Sequence, residues 1–161
     1  MQVAILHNRV TPDALASDRD VLVQVEAVTA ALERLGHRTV AVECDLNLLS
    51  LQQRLQALQP GVVFNLVESL DGSDSLMFLV PALLDRMHLP YTGSPTEAVW
   101  LTNHKVLAKE RLCQAGLPTP VWRSGPPPAG SGVAPDCAAG AIRPGTRFVI
   151  KAVSEHASLG L

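Results

Sequence analysis

The sequence lacks an excess of positive charge and lacks any long hydrophobic run. Its 161 residues carry a formal net charge of −2, so no broad basic face is expected and nucleic-acid binding is set aside. The N terminus has no basic stretch leading into an apolar one, and no run approaches the ~18 apolar residues of a membrane span. These absences predict a cytoplasmic protein that contacts neither nucleic acid nor membrane.

The sequence also lacks the usual signatures of metal, disulfide and phosphate-loop sites. Its three cysteines, Cys44, Cys113 and Cys137, are far apart, which predicts thiols outside any disulfide framework or zinc site. The histidines do not follow metal-ligand spacing. Neither Gly-x-x-x-x-Gly-Lys nor a Gly-x-Gly-x-x-Gly after a strand occurs, so P-loop and dinucleotide-binding proteins lose support.

What is present is a regular alternation of predicted strands and helices. Short apolar runs predict strands at residues 2–7, 39–42, 62–64 and 89–92. Apolar residues at steps of three and four predict helices between them, and further helices at residues 95–101 and 103–115. Pro81 predicts a break near residues 78–80 in the helix of residues 74–87. The alternation predicts an α/β fold with a parallel sheet and helices on its faces.

Polar residues follow the third predicted strand, at the edge where open α/β sheets bind ligands. Asn65 and Glu68 come first, and residues 71–74 follow. We expect Asn65 to brace the strand exit through backbone hydrogen bonds. Glu68 has two possible roles, either in binding substrate or as a loop acid that caps the next helix. Residues 91–94 form a second strand exit, in which Tyr91 and Ser94 are expected to shape the turn and the following cap.

The composition changes at residue 125. Residues 125–145 are rich in Pro, Gly and Ala, which predicts a mobile linker. Residues 148–150 then predict a strand, followed by Lys151 and a glycine-containing turn. A lone strand and turn cannot bury an apolar face alone, so we expect the chain to be the front part of a longer protein or to be completed by another polypeptide.

Six short motifs occur in one order along the chain. They are Phe64-Asn65-Leu66, Val80-Pro81-Ala82-Leu83-Leu84, Pro90-Tyr91-Thr92-Gly93-Ser94, Lys105 with Lys109, Ala115-Gly116-Leu117-Pro118-Thr119-Pro120, and Val149-Ile150-Lys151 with Glu155-His156-Ala157-Ser158-Leu159-Gly160. The series resembles the D-alanine:D-alanine ligase group of the ATP-grasp superfamily. This resemblance implies a small parallel-sheet, Rossmann-like pre-ATP-grasp domain over residues 1–93 and a helical linker over 94–123. Residues 124–161 would be a flexible segment and the truncated start of an ATP-grasp lobe.

The resemblance also implies an activity and its cofactors. Enzymes of this group use ATP and Mg²⁺ to phosphorylate a carboxylate, and an amine then attacks the acyl phosphate. Lys105 aligns with the first ATP lysine and Lys151 with the second, while Ser158 and Gly160 match the loop that closes over the phosphates. The metal ligands are expected downstream of residue 161, no catalytic residue is assigned, and the 161 residues alone are expected to be inactive.

Two departures from the group concern the substrate. Residues 7–10 replace a glycine-rich loop, and Glu68 stands where the group has a histidine. A carboxylate repels a substrate carboxylate and favours an amine, so Glu68 is predicted to bind an ammonium group of a substrate other than a pair of D-alanines. The expected partner is a small molecule with a carboxylate or an amine, and a homodimer is possible at full length. The alternative function is a non-catalytic α/β module that binds a nucleotide or another small molecule together with a partner chain.

Overall fold

The computed structural model describes residues 1–12, 14, 16–122, 147 and 149–154, without the side chains of residues 16–18. The chain divides into two compact units, Met1–Trp100 and Leu101–Leu161. The described strands and helices are, in chain order, β1 (Gln2–Asn8), α1 (Ala16–Arg34), β2 (Arg38–Cys44), α2 (Leu48–Leu58), β3 (Val62–Asn65), a 3-10 turn (Asp74–Leu76), α3 (Leu79–Met87), α4 (Thr96–Asn103) and α5 (Lys105–Gln114).

The described part of the first unit contains a three-stranded parallel sheet in the order β2-β1-β3. Val3 of β1 lies opposite Thr39 of β2 and Val62 of β3. Strand β1 is central, and its apolar run from Val3 to Leu6 is at most 2% exposed, as expected for a parallel strand covered on both faces. The predicted parallel α/β sheet is confirmed.

The core joins the sheet to two helices. Leu6, Val42 and Val63 of the three strands belong to one buried cluster with residues of α2 and α3. Leu51 and Leu55 of α2 are four residues apart and therefore on one face of that helix, and Val80 and Leu84 of α3 repeat the spacing. Each such leucine stabilises the fold by roughly 1.5–3 kcal/mol through removal of its side chain from water. The helices thus fix the sheet that carries the loops after β1, β2 and β3.

Residues 89–92 lie beside β3, but the prediction that they form a strand is wrong. Tyr91 makes a single parallel bridge to Val63 of β3. The Val63 N–H donates to Pro90 O at 2.8 Å, and the Thr92 N–H donates to Val63 O at 3.0 Å. Pro90 has no N–H, and Gly93 turns the chain with φ +105°, so the segment runs beside β3 without extending the ladder.

The predicted interruption near residues 78–80 is confirmed. The 3-10 turn ends at Leu76 and α3 begins at Leu79, which places Pro81 in the first turn of that helix. A first-turn proline breaks no helical hydrogen bond, because N–H groups there have no intrahelical partner. Among the helices in the described part of the chain, none combines the length and apolar character that a membrane crossing requires.

The predicted strand at residues 148–150 is not observed at its described positions. Val149 and Ile150 lie outside any strand and are 71% and 85% exposed. A strand requires a neighbour for its backbone groups, and no segment in the described ranges pairs with these two residues. Phe148 and the predicted mobile linker of residues 125–145 lie outside the described residues.

Candidate functional site

The loop after β3 is held at both ends by the core of the first unit. The Leu66 N–H donates to Leu6 O at 2.8 Å, and Asn65 Oδ1 accepts the Val67 N–H at 3.2 Å. Asn65 therefore braces the strand exit, as predicted. Val67 and Leu70 are buried, with exposed fractions of 4% and 0%.

Glu68 lies between those two anchors and is exposed. Its backbone position is fixed on both sides while its carboxylate faces solvent. The N-cap position of the following 3-10 turn belongs to Ser73, so the interpretation of Glu68 as the cap residue of the next helix is wrong. An exposed acid on an anchored loop at the carboxyl end of a strand can meet a cationic ligand.

The ends of β1 and β2 add further polar groups to this edge of the sheet. His7 is buried, and its Nδ1 lies 3.0 Å from Asn8 O. Asn8 is 6% exposed, and its buried Oδ1 has no hydrogen-bond partner among the described residues. Arg9 pairs with Asp45 at 2.6 Å. Sequence reasoning missed Asn8, although its place directly after the predicted strand at residues 2–7 was an available signal.

In the second unit, Lys105 is the first residue of α5 and lies beside the segment that carries Lys151. The Lys105 N–H donates to Val153 O at 3.0 Å, and Lys105 Nζ lies 3.4 Å from the same oxygen. Lys151 is exposed and only two residues from Val153. The two lysines predicted to bind phosphate are therefore on segments in direct contact. Ser158 and Gly160, the other predicted nucleotide-binding residues, lie outside the described residues.

Lys109, the next lysine of α5, has a different environment. Its Nζ donates to Thr119 Oγ1 and to Pro120 O, both at 2.9 Å, and lies 5.2 Å from the ring centre of Trp122. These contacts connect α5 to the chain that follows it. Sequence analysis paired Lys109 with Lys105 in one motif and missed this difference, because residues ten or more positions away create it.

Two side chains of the first unit have perturbed pKa values with structural causes. Burial raises the pKa of the Cys44 thiol to about 12, so this free cysteine is a poor nucleophile. Burial, and secondly the hydrogen bond to Asp85, raises the pKa of Tyr91. The Tyr91 hydroxyl donates to Asp85 Oδ1 at 2.9 Å, and Thr96 Oγ1 donates to Asp85 Oδ2 at 2.5 Å. Asp85 therefore ties the turn before α4 to α3.

Comparison with known proteins finds several D-alanine–D-alanine ligases. A D-alanine–D-alanine ligase of Erythrobacter litoralis is 32% identical over 73% of this chain and 35% of its own length. One of Paramagnetospirillum magneticum is 30% identical over 91% of this chain and 45% of its own length. The chain is D-alanine–D-alanine ligase-like. An uncharacterized protein of Sinorhizobium fredii is 38% identical to this ligase-like chain over 59% of the chain and 30% of that relative. No protein-family model matches.

Solved structures show the same fold. The crystal structure of a D-alanine–D-alanine ligase from Bacillus anthracis matches with a TM-score of 0.56 at 15% identity, covering 74% of this chain and 37% of that one. The same enzyme complexed with ATP also gives 0.56, at 19% identity. The three-stranded α/β unit corresponds to the N-terminal part of these ligase structures. The ligase-like chain spans about a third of the length of several of its curated relatives.

Proposed function

We propose that the chain is the N-terminal part of an ATP-dependent ligase that joins a carboxylate to an amine. The sequence similarity to D-alanine–D-alanine ligases supports this class of reaction, and the Bacillus anthracis relative has been solved with ATP. The contact between Lys105 and Val153 is the structural observation that carries the proposal. It brings the start of α5 and the segment of Lys151 to one place in the second unit.

In this proposal Lys105 and Lys151 bind the phosphates of ATP. The ammonium group of a lysine is a compact charge with three rotatable donors, which suits phosphate oxygens without requiring a fixed fork geometry. We assign Lys105 and Lys151 to the nucleotide because Lys105 contacts Val153, which is two residues from Lys151. Ser158 and Gly160 are proposed to close over the phosphates.

The proposed reaction has two steps. A carboxylate oxygen of the substrate attacks the γ-phosphorus of ATP, and the bond to the leaving ADP oxygen breaks. The amine nitrogen then attacks the acyl carbon of the acyl phosphate, loses a proton and expels inorganic phosphate. Mg²⁺ would offset phosphate charge, but His, Cys, Asp and Glu side chains of the described residues form no group of three or more that could hold a metal ion. We assign no described residue to Mg²⁺.

Glu68 is proposed to bind the ammonium group of a substrate. Its carboxylate is exposed, and the buried side chains of Val67 and Leu70 hold the loop on both sides of it. A carboxylate at this position attracts an ammonium group and repels a second carboxylate, which disfavours a pair of D-alanines as the substrates. Glu68→Gln should raise the KM for the amine-bearing substrate about tenfold or more while leaving the KM for ATP unchanged. Asp71→Asn is the matched control, because Asp71 is an exposed acid of the same loop region.

Isotope transfer tests the acyl phosphate directly. The intact protein would be incubated with ATP, Mg²⁺ and a panel of amino acids whose carboxylates carry ¹⁸O, with D-alanine included. The two-step reaction transfers one ¹⁸O atom from the carboxylate into inorganic phosphate for each bond formed. Product formation with unlabelled phosphate would refute the acyl phosphate, and ATP binding without turnover across the panel would favour a non-catalytic binding module. We further propose a cytoplasmic protein that forms a homodimer at full length and has the domain boundaries predicted above.

A further inference from the structure

Helix α5 begins with a histidine in the capping position. His104 has an extended backbone, with φ −90° and ψ 101°, and its Nδ1 accepts the Leu107 N–H at 3.2 Å. The His104 carbonyl accepts the Ala108 N–H at 3.0 Å, the first main-chain hydrogen bond of the helix. An imidazole nitrogen thus does what the side-chain oxygen of Ser, Thr, Asn or Asp usually does at a helix start.

The capped turn is the one that contains Lys105. The first N–H groups of a helix have no intrahelical partner and must be satisfied from outside. Here His104 Nδ1 satisfies the N–H of Leu107, and Val153 O satisfies that of Lys105. Loss of the His104 bond would allow the first turn to fray, and fraying would move Lys105 away from the Lys151 segment.

We propose that His104 is a positioning residue for the nucleotide, and that its neutral imidazole holds the first turn of α5 so that Lys105 meets the phosphates. The inference rests on the proposed role of Lys105 in ATP binding. Nδ1 accepts a hydrogen bond only when the neutral ring carries its proton on Nε2. Protonation removes that acceptor and adds a positive charge at the positive end of the helix dipole.

Asparagine is a strong cap residue, so His104→Asn keeps a side-chain acceptor for the first turn while it removes the imidazole.

Two variants test the cap at pH 8. A side-chain cap typically changes the ratio between the formed and the frayed first turn of a helix about fivefold. The loss of the cap can therefore raise the dissociation constant of ATP by no more than about the same factor. His104→Ala is expected to raise that constant two- to fivefold by isothermal titration calorimetry and to speed amide hydrogen exchange at Leu107. His104→Asn should restore both to within twofold of wild type. An ATP affinity for His104→Ala within twofold of wild type would overturn the proposal.

Lys105→Ala distinguishes the two claims. If it weakens ATP binding while His104→Ala does not, the cap proposal fails and the nucleotide site stands. If neither changes binding but His104→Ala still speeds exchange at Leu107, the assignment of Lys105 to ATP fails.

Discussion

Replacement of Lys109 by methionine removes an ammonium group that the structure places in a bracing role. Lys109 Nζ donates to Thr119 Oγ1 and Pro120 O, and it lies over the ring of Trp122. Methionine keeps most of the apolar stem and cannot donate. The substitution therefore tests whether these contacts hold the chain after α5 against the helix.

The magnitude follows from the number of contacts and their exposure. Each of the two hydrogen bonds from the Lys109 ammonium group contributes about 1.5 kcal/mol. This low value for a charged donor is used because Pro120 is exposed. The contact with Trp122 adds about 0.5 kcal/mol, and the ordering of a lysine side chain costs up to about 2 kcal/mol. The balance predicts that Lys109→Met lowers the free energy of unfolding by about 1.5 kcal/mol.

Urea unfolding followed by Trp122 fluorescence measures this loss. Trp100 is the other tryptophan of the chain, so the comparison is made in a Trp100→Phe background. Lys109→Met is expected to unfold at lower urea, to shift Trp122 emission to longer wavelength in the native state, and to bind ATP within threefold of wild type. Unchanged stability and emission, together with a tenfold loss of ATP affinity, would show that Lys109 is a phosphate ligand and that the bracing role is wrong.

Three further predictions concern the first unit. Leu84→Ala should lower the free energy of unfolding by about 2–5 kcal/mol, because Leu84 is fully buried. Leu49→Ala, at an exposed site, should change it by about 0.5 kcal/mol or less. Equal losses of the two variants in urea unfolding would contradict the described core. Tyr91 is the only tyrosine, so its pKa can be measured by absorbance titration. Asp85→Asn should lower the pKa of Tyr91 part of the way towards the ordinary value of about 10. The remaining rise of this pKa is due to burial. The stability linked to this raised pKa is present below pH ~10 and is lost as pH rises through the native pKa; a pKa unchanged in Asp85→Asn would refute the role of Asp85. The Cys44 thiol should resist an aromatic disulfide reagent at pH 8 until the protein unfolds. Wild type and Cys44→Ala should therefore show the same number of rapidly reacting thiols. One rapidly reacting thiol fewer in Cys44→Ala would contradict the burial of Cys44.

The sequence predicted those parts of the fold that depend on local pattern. The short apolar run at residues 2–7 predicted a strand, and the structure has it as β1, in which Val3 to Leu6 are buried on both faces. Pro81 predicted the start of α3 because a proline inside a helix would remove a hydrogen bond. The strand at residues 89–92 was overpredicted, because Pro90 has no N–H to donate to a neighbouring strand and the segment makes only a single bridge.

The site was less predictable because its contacts join residues far apart in the sequence. Lys105 was assigned to ATP by resemblance alone, because the contacts that distinguish it from Lys109 involve Val153 and Trp122, which lie far along the chain. It also gave no reason to choose His104 as a cap, because histidine is not a preferred cap residue. Asn8 escaped notice because the burial of its Oδ1, without a partner among the described residues, depends on packing at the end of β1.

The central claim is that ATP phosphates lie against the ammonium groups of Lys105 and Lys151, and calorimetric titration of the chain with ATP tests it most directly. Each lysine replaced by alanine should weaken binding about tenfold or more, the loss expected for a charged hydrogen bond. Arg111→Ala is the matched control, because Arg111 is an exposed cation of α5, and it should bind ATP as wild type does. Equal ATP affinity in wild type and Lys151→Ala would contradict the account.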